Sequence, residues 1–124
     1  MNIVTAPQII GRIQRLTIDL IGLTVPCDRE IFLSEYDHLH MQTDHPSDYE
    51  KYFGNITDIL QSPNYLAKHP RKQSVEHIKV FGKDYVLVPV HVTSNNKLFA
   101  KTIFVMEPRK VQKYFEVGAM IKYE

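Results

Sequence analysis

The stretch "SVEHIKVFGKDYVLVPVHVTSNNKLFAKTIFVM", residues 74–106, decides the fold class. Valine, isoleucine, phenylalanine and threonine dominate it, and such residues suit a pleated, half-buried backbone better than a helix. The short polar pieces "GKD" and "SNN" interrupt it at hairpin length. The spacing predicts strands over residues 75–81, 85–93 and 97–106, running as one antiparallel meander. Pro89 cannot donate to a ladder, so the middle strand is expected to hold an edge or a bulge there.

Upstream of residue 74 the apolar period is helical. In "TAPQIIGRIQRLTIDLIGL", Ile9, Ile10, Ile13, Leu16 and Leu20 recur at helix spacing, Thr5 and Pro7 suit a first turn, and Gly22 suits a stop. A helix is predicted from about residue 6 to 21. "REIFL", residues 29–33, reads as a short strand. Ser34 and Asp37 form an S-x-x-D capping pattern, so a second helix should run to about Asp44. Pro46 disfavours α conformation at His45. Ser47 and Glu50 then offer another capping box, before a stripe of Tyr49, Tyr52, Phe53, Ile56, Ile59 and Leu60 that Pro63 ends. "EPRKVQKYFEV" closes the chain as a short helix. The expectation is an α+β fold, N-terminal helices packed on a C-terminal antiparallel sheet, in a single domain over residues 1–124.

Composition narrows the functional classes. A 44% hydrophobic and 23% charged chain of 124 residues is ordinary for one globular domain. No apolar run reaches the ~18–20 residues that span a membrane. The first residues lack the basic segment and apolar block of a signal peptide, so a cytoplasmic location is expected. Cys27 is the single cysteine, which excludes an internal disulfide and a four-cysteine metal site. The net charge of +1 hides a division. Residues 1–62 carry four Lys/Arg against nine Asp/Glu, and residues 63–124 carry eleven against five. A basic half suits a phosphate-rich ligand, and equally a dipolar surface with no ligand.

The segment "HLHMQTDHP", residues 38–46, gathers three of the six histidines. Their spacings, two, five and seven residues, miss the four-residue interval that turns two helical histidines toward one ion, so no metal site is expected. Acid/base chemistry is the alternative. RNA can be cut through its own 2′-hydroxyl when one group takes that proton and another protonates the leaving 5′-oxygen. Imidazole suits both tasks near neutral pH. A structural reading stays open beside it: His40 falls in register with Tyr36 and Thr43 on a helix, and His45 can simply bridge two helices.

The ordered strings "IGRIQRLTIDLIGL", "IFLSEYDHLHMQTDHP", "YFGNITDILQSPNYL", "VLVPVHVT" and "AKTIFVM" resemble the phage-type barnase–EndoU–colicin–RelE-like nuclease domains over nearly the whole chain. His40, Met41 and His45-Pro46 fit the family's His-Pro corner. Ser62-Pro63-Asn64-Tyr65 fits a second motif, with Asn64 where Asp is common, and Lys101-Thr102 fits a third. The resemblance implies a metal-independent endoribonuclease, or a nuclease-like, toxin-like relative, encoded by a phage or mobile element and needing no cofactor. It implies His40 and His45 as the acid/base pair and Thr102 as a hydroxyl donor to the scissile phosphate. Lys101 is a phosphate contact on the same grounds, although strand alternation would send it and Thr102 to opposite faces. Arg71, Lys72 and Tyr65 are candidates for holding substrate; the open alternatives are a solvated loop for the first two and a core position for Tyr65. RNA is the expected partner; the rival is an inactive phage-encoded inhibitor or adaptor that binds a host protein or RNA, and a cognate inhibitor is a further partner. No membrane partner is expected.

Overall fold

Residues 8–21 do not form the single helix that their isoleucine spacing predicts. In the computed structural model, which describes residues 6–69 and 73–124, they make strand β1 (Gln8–Arg12) and then helix α1 (Arg15–Ile21). The adjacent Ile9 and Ile10 divide between two sides: Ile9 is 54% exposed, whereas Ile10 is 9% exposed. That division is a strand's, and β-branched pairs favour it. The register slips between Ile9 and Gly11. At this bulge, helix α4 (Ile56–Gln61) supplies the missing partners. Gln61 Oε1 accepts from the Arg12 N–H (2.7 Å), and the Thr57 hydroxyl donates to the Ile10 carbonyl (2.7 Å). A Cβ on Gly11 would stand 3.0 Å from Gln61 Oε1, so glycine permits this close approach. Gly22, at φ 81°, stops α1 as expected.

Strand β2 (Glu30–Leu33) leads into α2 (Glu35–Asp44). The Ser34 cap forms as predicted: its Oγ accepts from the Asp37 N–H at 3.1 Å, a contact worth about 1 kcal/mol. His45 both ends α2 and begins α3 (Pro46–Tyr52), with Pro46 in the first turn. The Ser47/Glu50 capping box therefore does not open this helix. Pro46 has no N–H to satisfy, so the helix starts there, one residue ahead of Ser47. A 3₁₀ turn (Phe53–Asn55) then separates α3 from α4.

The remaining strands are β3 (Tyr65–Lys68), β4 (Ser74–Phe81), β5 (Asp84–Val92), β6 (Leu98–Ala100), β7 (Phe104–Val105) and β8 (Ile121–Lys122), with α5 (Pro108–Glu116) before the last. The path through the sheet is β1-β2-β6-β5-β4-β3-β8, and β7 also pairs with β5. The chain is α+β, but its sheet is neither wholly C-terminal nor wholly antiparallel. The β1-β2 hairpin joins through a parallel β2-β6 pair, Ile31 opposite Leu98 and Phe32 opposite Phe99. Ile31 and Leu98, both fully buried, supply the apolar surface for that junction.

The third predicted strand breaks in two, at the place where Pro89 acts. Val90 pairs with Ala100, but Leu87 pairs with Phe104, so one extra residue lies on the β6-β7 side. Pro89 accepts from the Lys101 N–H at 3.0 Å through its carbonyl. Within an antiparallel strand, a residue's N–H and C=O point the same way, so the donor that proline lacks would also face this gap. The ladder cannot close there, and residues 101–103 bulge.

The two faces of β5 have different neighbours. Val86, Val88, Val90 and Val92 pack with Met41, Tyr52, Ile56, Ile59 and Leu60 in the main core. Leu87, on the other face, packs with Ile78, Ala67 and Met106, and Val111 and Tyr114 of α5 lie against them.

Candidate active site

The bulge at residues 101–103 lies beside the His-Pro corner. His40, His45, Lys101 and Thr102 line one hollow of about 330 Å³, together with Tyr36, Asp37 and Asp44. Local structure explains each arm. The Ser34 cap sets the start of α2 and so the rotational phase of His40. Pro46 takes His45 off that helix, and the His45 imidazole stacks on Phe104 of β7 with centroids 5.2 Å apart. Asp48, in the first turn of α3, accepts from the Val105 N–H at 3.0 Å and ties the corner to β7. Because the bulge abolishes regular alternation, Lys101 and Thr102 reach the same hollow; the expectation that they would face opposite ways is corrected.

Two carboxylates order the polar groups. Asp44 Oδ2 accepts from His40 Nε2 at 2.7 Å. The pair is about half exposed on each side, so it contributes little to stability but fixes a tautomer, leaving Nδ1 as the unprotonated nitrogen of the neutral ring. Asp37 is buried and takes two donors on Oδ2, the Ser34 hydroxyl (2.9 Å) and the Lys101 ammonium (3.1 Å). Lys101 itself stays 47% exposed, so one buried acid anchors a cation whose head still meets solvent. Thr102 Oγ1 is covered and has no hydrogen-bond partner among the described residues. Buried hydroxyls are usually paired, so this donor stands out.

The hollow continues along the open sheet face. A neighbouring one of about 570 Å³ shares Lys101 and Thr102 and adds His69, Ser74, Glu76 and His91. A third, of about 540 Å³, brings back His45 and reaches Lys110 and Tyr114. Glu76 Oε1 accepts from the Tyr114 hydroxyl at 2.8 Å. Burial, with Glu76 beside it, pushes the Tyr114 phenol up to about 12, so it remains a donor throughout the working pH range. Glu76, His69 and His91 escape a reading of the sequence because only strand register brings them here. The one local signal was the alternation of Glu76 with Val75 and His77. Asp44 was visible four residues after His40, a helix-face spacing.

The other predicted site residues lie elsewhere. Tyr65 does not join the hollow; its ring meets Phe115 edge-on at 5.4 Å and Tyr85 at 6.4 Å, packed with the cluster around Ile78 and Leu87. A tyrosine on β3 opposite Ile78 is held there by apolar contact. Arg71 and Lys72 lie outside the described residues. Among the described residues, no group of three histidine, cysteine, aspartate or glutamate side chains stands close enough to share a metal ion, and no helix is long and apolar enough to cross a membrane.

No curated protein and no solved structure matches the chain. A family profile does, over residues 8–113, described as phage-Barnase-EndoU-ColicinE5/D-RelE like nuclease3. That span runs from the first residue of β1 into α5 and takes in the His-Pro corner, the Pro89 bulge and every residue of the shared hollow. The chain belongs to the phage-type barnase–EndoU–colicin–RelE-like nuclease family.

Proposed function

We propose that this protein is a metal-independent endoribonuclease of a phage or mobile element, cutting RNA by transesterification. The observation that carries the reading is the convergence of His40, His45, Lys101 and Thr102 on one hollow from segments some sixty residues apart in the chain. His40 is the base: Asp44 holds its Nε2–H, which leaves Nδ1 to take the proton of the 2′-hydroxyl. The 2′-oxygen attacks the adjacent phosphorus, and His45 protonates the departing 5′-oxygen. The products are a 2′,3′-cyclic phosphate and a 5′-hydroxyl. Lys101, anchored by Asp37, and the Thr102 hydroxyl offset the charge that develops on the phosphorane. The description of the family supports both the nuclease class and the phage setting.

The test is incubation of purified protein with labelled total RNA and tRNA in EDTA, with the new ends mapped. Cleavage leaving cyclic phosphate ends is expected. His40→Ala and His45→Ala should each slow it by about 10²–10⁴-fold; the melting temperature should hold in the first, because His40 is exposed, and fall only slightly in the second, which loses the stack on Phe104. Wild-type protein that neither cuts nor retains RNA at low salt would end the nuclease reading.

A further inference from the structure

The sheet face that carries the hollow is open at its other end. Register places Ile9, Phe32, Phe99, His91 and Ser74 in one row across β1, β2, β6, β5 and β4. Their sequence neighbours Ile31, Leu33, Leu98 and Ala100 are buried in the main core, so alternation turns the row the other way. Ile9 is 54% exposed, and Phe32 and Phe99 are partly exposed, with ring centroids 5.8 Å apart. Helix α5 packs over Leu87 and Met106 instead.

The row is continuous with the candidate site, because His91 and Ser74 line the same hollow as Lys101 and Thr102. Its far end is basic. Arg29 and Lys97 flank Phe32 in a shallow depression, and Glu30, the acidic residue there, stands opposite Arg12 in the register. Flat rings on adjacent strands with cations at the margin suit unpaired bases on a phosphate backbone.

We propose that Phe32, Phe99 and His91 form a stacking platform for unpaired bases of an RNA strand whose scissile phosphate lies at Lys101 and Thr102. The proposal rests on the nuclease reading for the strand's path, and it specifies the substrate as single-stranded. A duplex has its bases stacked on one another and presents no free face to the rings.

The experiment is fluorescence anisotropy with a labelled 2′-O-methyl ten-nucleotide strand, which cannot be cut, and the same strand in a duplex. Wild-type protein should prefer the single strand. Phe32→Leu and Phe99→Leu keep apolar bulk but lose the ring, and each should weaken single-strand binding about 5- to 150-fold; Phe99→Tyr should retain it. Unchanged affinity in the leucine variants overturns the platform, and if the wild type still cuts RNA the nuclease reading survives alone. Ring-dependent binding without cleavage of natural RNA supports the platform and removes the enzyme. Absence of both binding and cleavage removes both. A dimer that dissociates in the leucine variants gives the face to a second copy and overturns the proposal. Should the leucine variants fail to fold, Phe99→Trp decides: a larger ring must tighten single-strand binding, and an unchanged or weaker value refutes it.

Discussion

His77 is a fully buried histidine at the centre of β4, opposite Val88 and Leu66, and among the described residues neither ring nitrogen has a partner of good hydrogen-bond geometry. Burial pushes its pKa down to about 4, against weaker opposing pulls from the backbone of Val88 and Val75. The neutral ring is therefore the folded form. An unfolded chain takes up the proton near pH 6.5, so the stability is complete above that value and drains as pH falls from about 6.5 to 4. The loss is on the order of 3 kcal/mol. His77→Leu, close in volume, should flatten that part of the profile in urea titrations at pH 7, 5.5 and 4.5. At pH 7 it should also stabilise by about 1–3 kcal/mol, because it removes unpaired buried polar atoms. A steeper acid loss in the variant would contradict the account. Asp37 is the opposite case, a buried acid with its donors in place. Asp37→Asn should cost about 1–2 kcal/mol and slow RNA cleavage more than that loss of stability explains, since Lys101 is released. Asp37 was legible as part of a capping pattern; its second task, holding a lysine sixty-four residues away, was not.

At the scale of elements, Pro89 has the widest consequence. Its missing donor faces β6 and β7 rather than β4, so the central strand keeps its other ladder while residues 101–103 bulge toward the His-Pro corner. Pro89→Val would restore that donor and favour a continuous strand. Cleavage should fall about 100-fold, as displacements near 1 Å from the reacting groups do, while the melting temperature stays level or rises. Melting curves and single-turnover rates on one preparation check both halves; a variant that cuts at the wild-type rate would show that the bulge does not position Lys101 and Thr102. The sequence carried half of this device: Pro89 announced an irregularity, but the partner that would absorb it depended on register. The helix boundary at Pro46 was legible because proline acts on its immediate neighbours. Strand β1 was not, since Ile9, Ile10 and Ile13 satisfy a helix period as well as a bulged strand. Gly11 was the discordant sign, and its reason lies in Gln61, fifty residues away. The short strands β3 and β8 carry too few residues to show a period and exist through pairing with each other and with β4.

Across the whole molecule, the sheet separates two kinds of chemistry. One face is an apolar core against α2, α3 and α4. The other carries the hollow, the row of rings and the cations Lys97, Lys101, Arg29 and Lys110 along its margins. Lys97, Lys101 and Lys110 give part of the basic excess of residues 63–124 a direction, and Arg29 joins them from the acidic half. Lys51 belongs to the other side, where it pairs with Asp84 at 3.4 Å beside Tyr52 of the core, and that contact raises the lysine pKa above its ordinary value. Electrostatic binding to a single strand releases counterions in proportion to the phosphates contacted, so the logarithm of the binding constant should fall linearly with the logarithm of salt, with a slope of about −0.7 per contact. Lys97→Glu should make the slope shallower by about 0.7 or more, since it removes one contact and adds a repelling charge. Lys51→Glu makes the same change of net charge on the face away from the hollow and should leave the slope unaltered. Anisotropy titrations of the 2′-O-methyl strand between 50 and 200 mM salt compare the two. Equal flattening in both variants would mean that net charge alone attracts the RNA, and the open sheet face would lose its claim as the track.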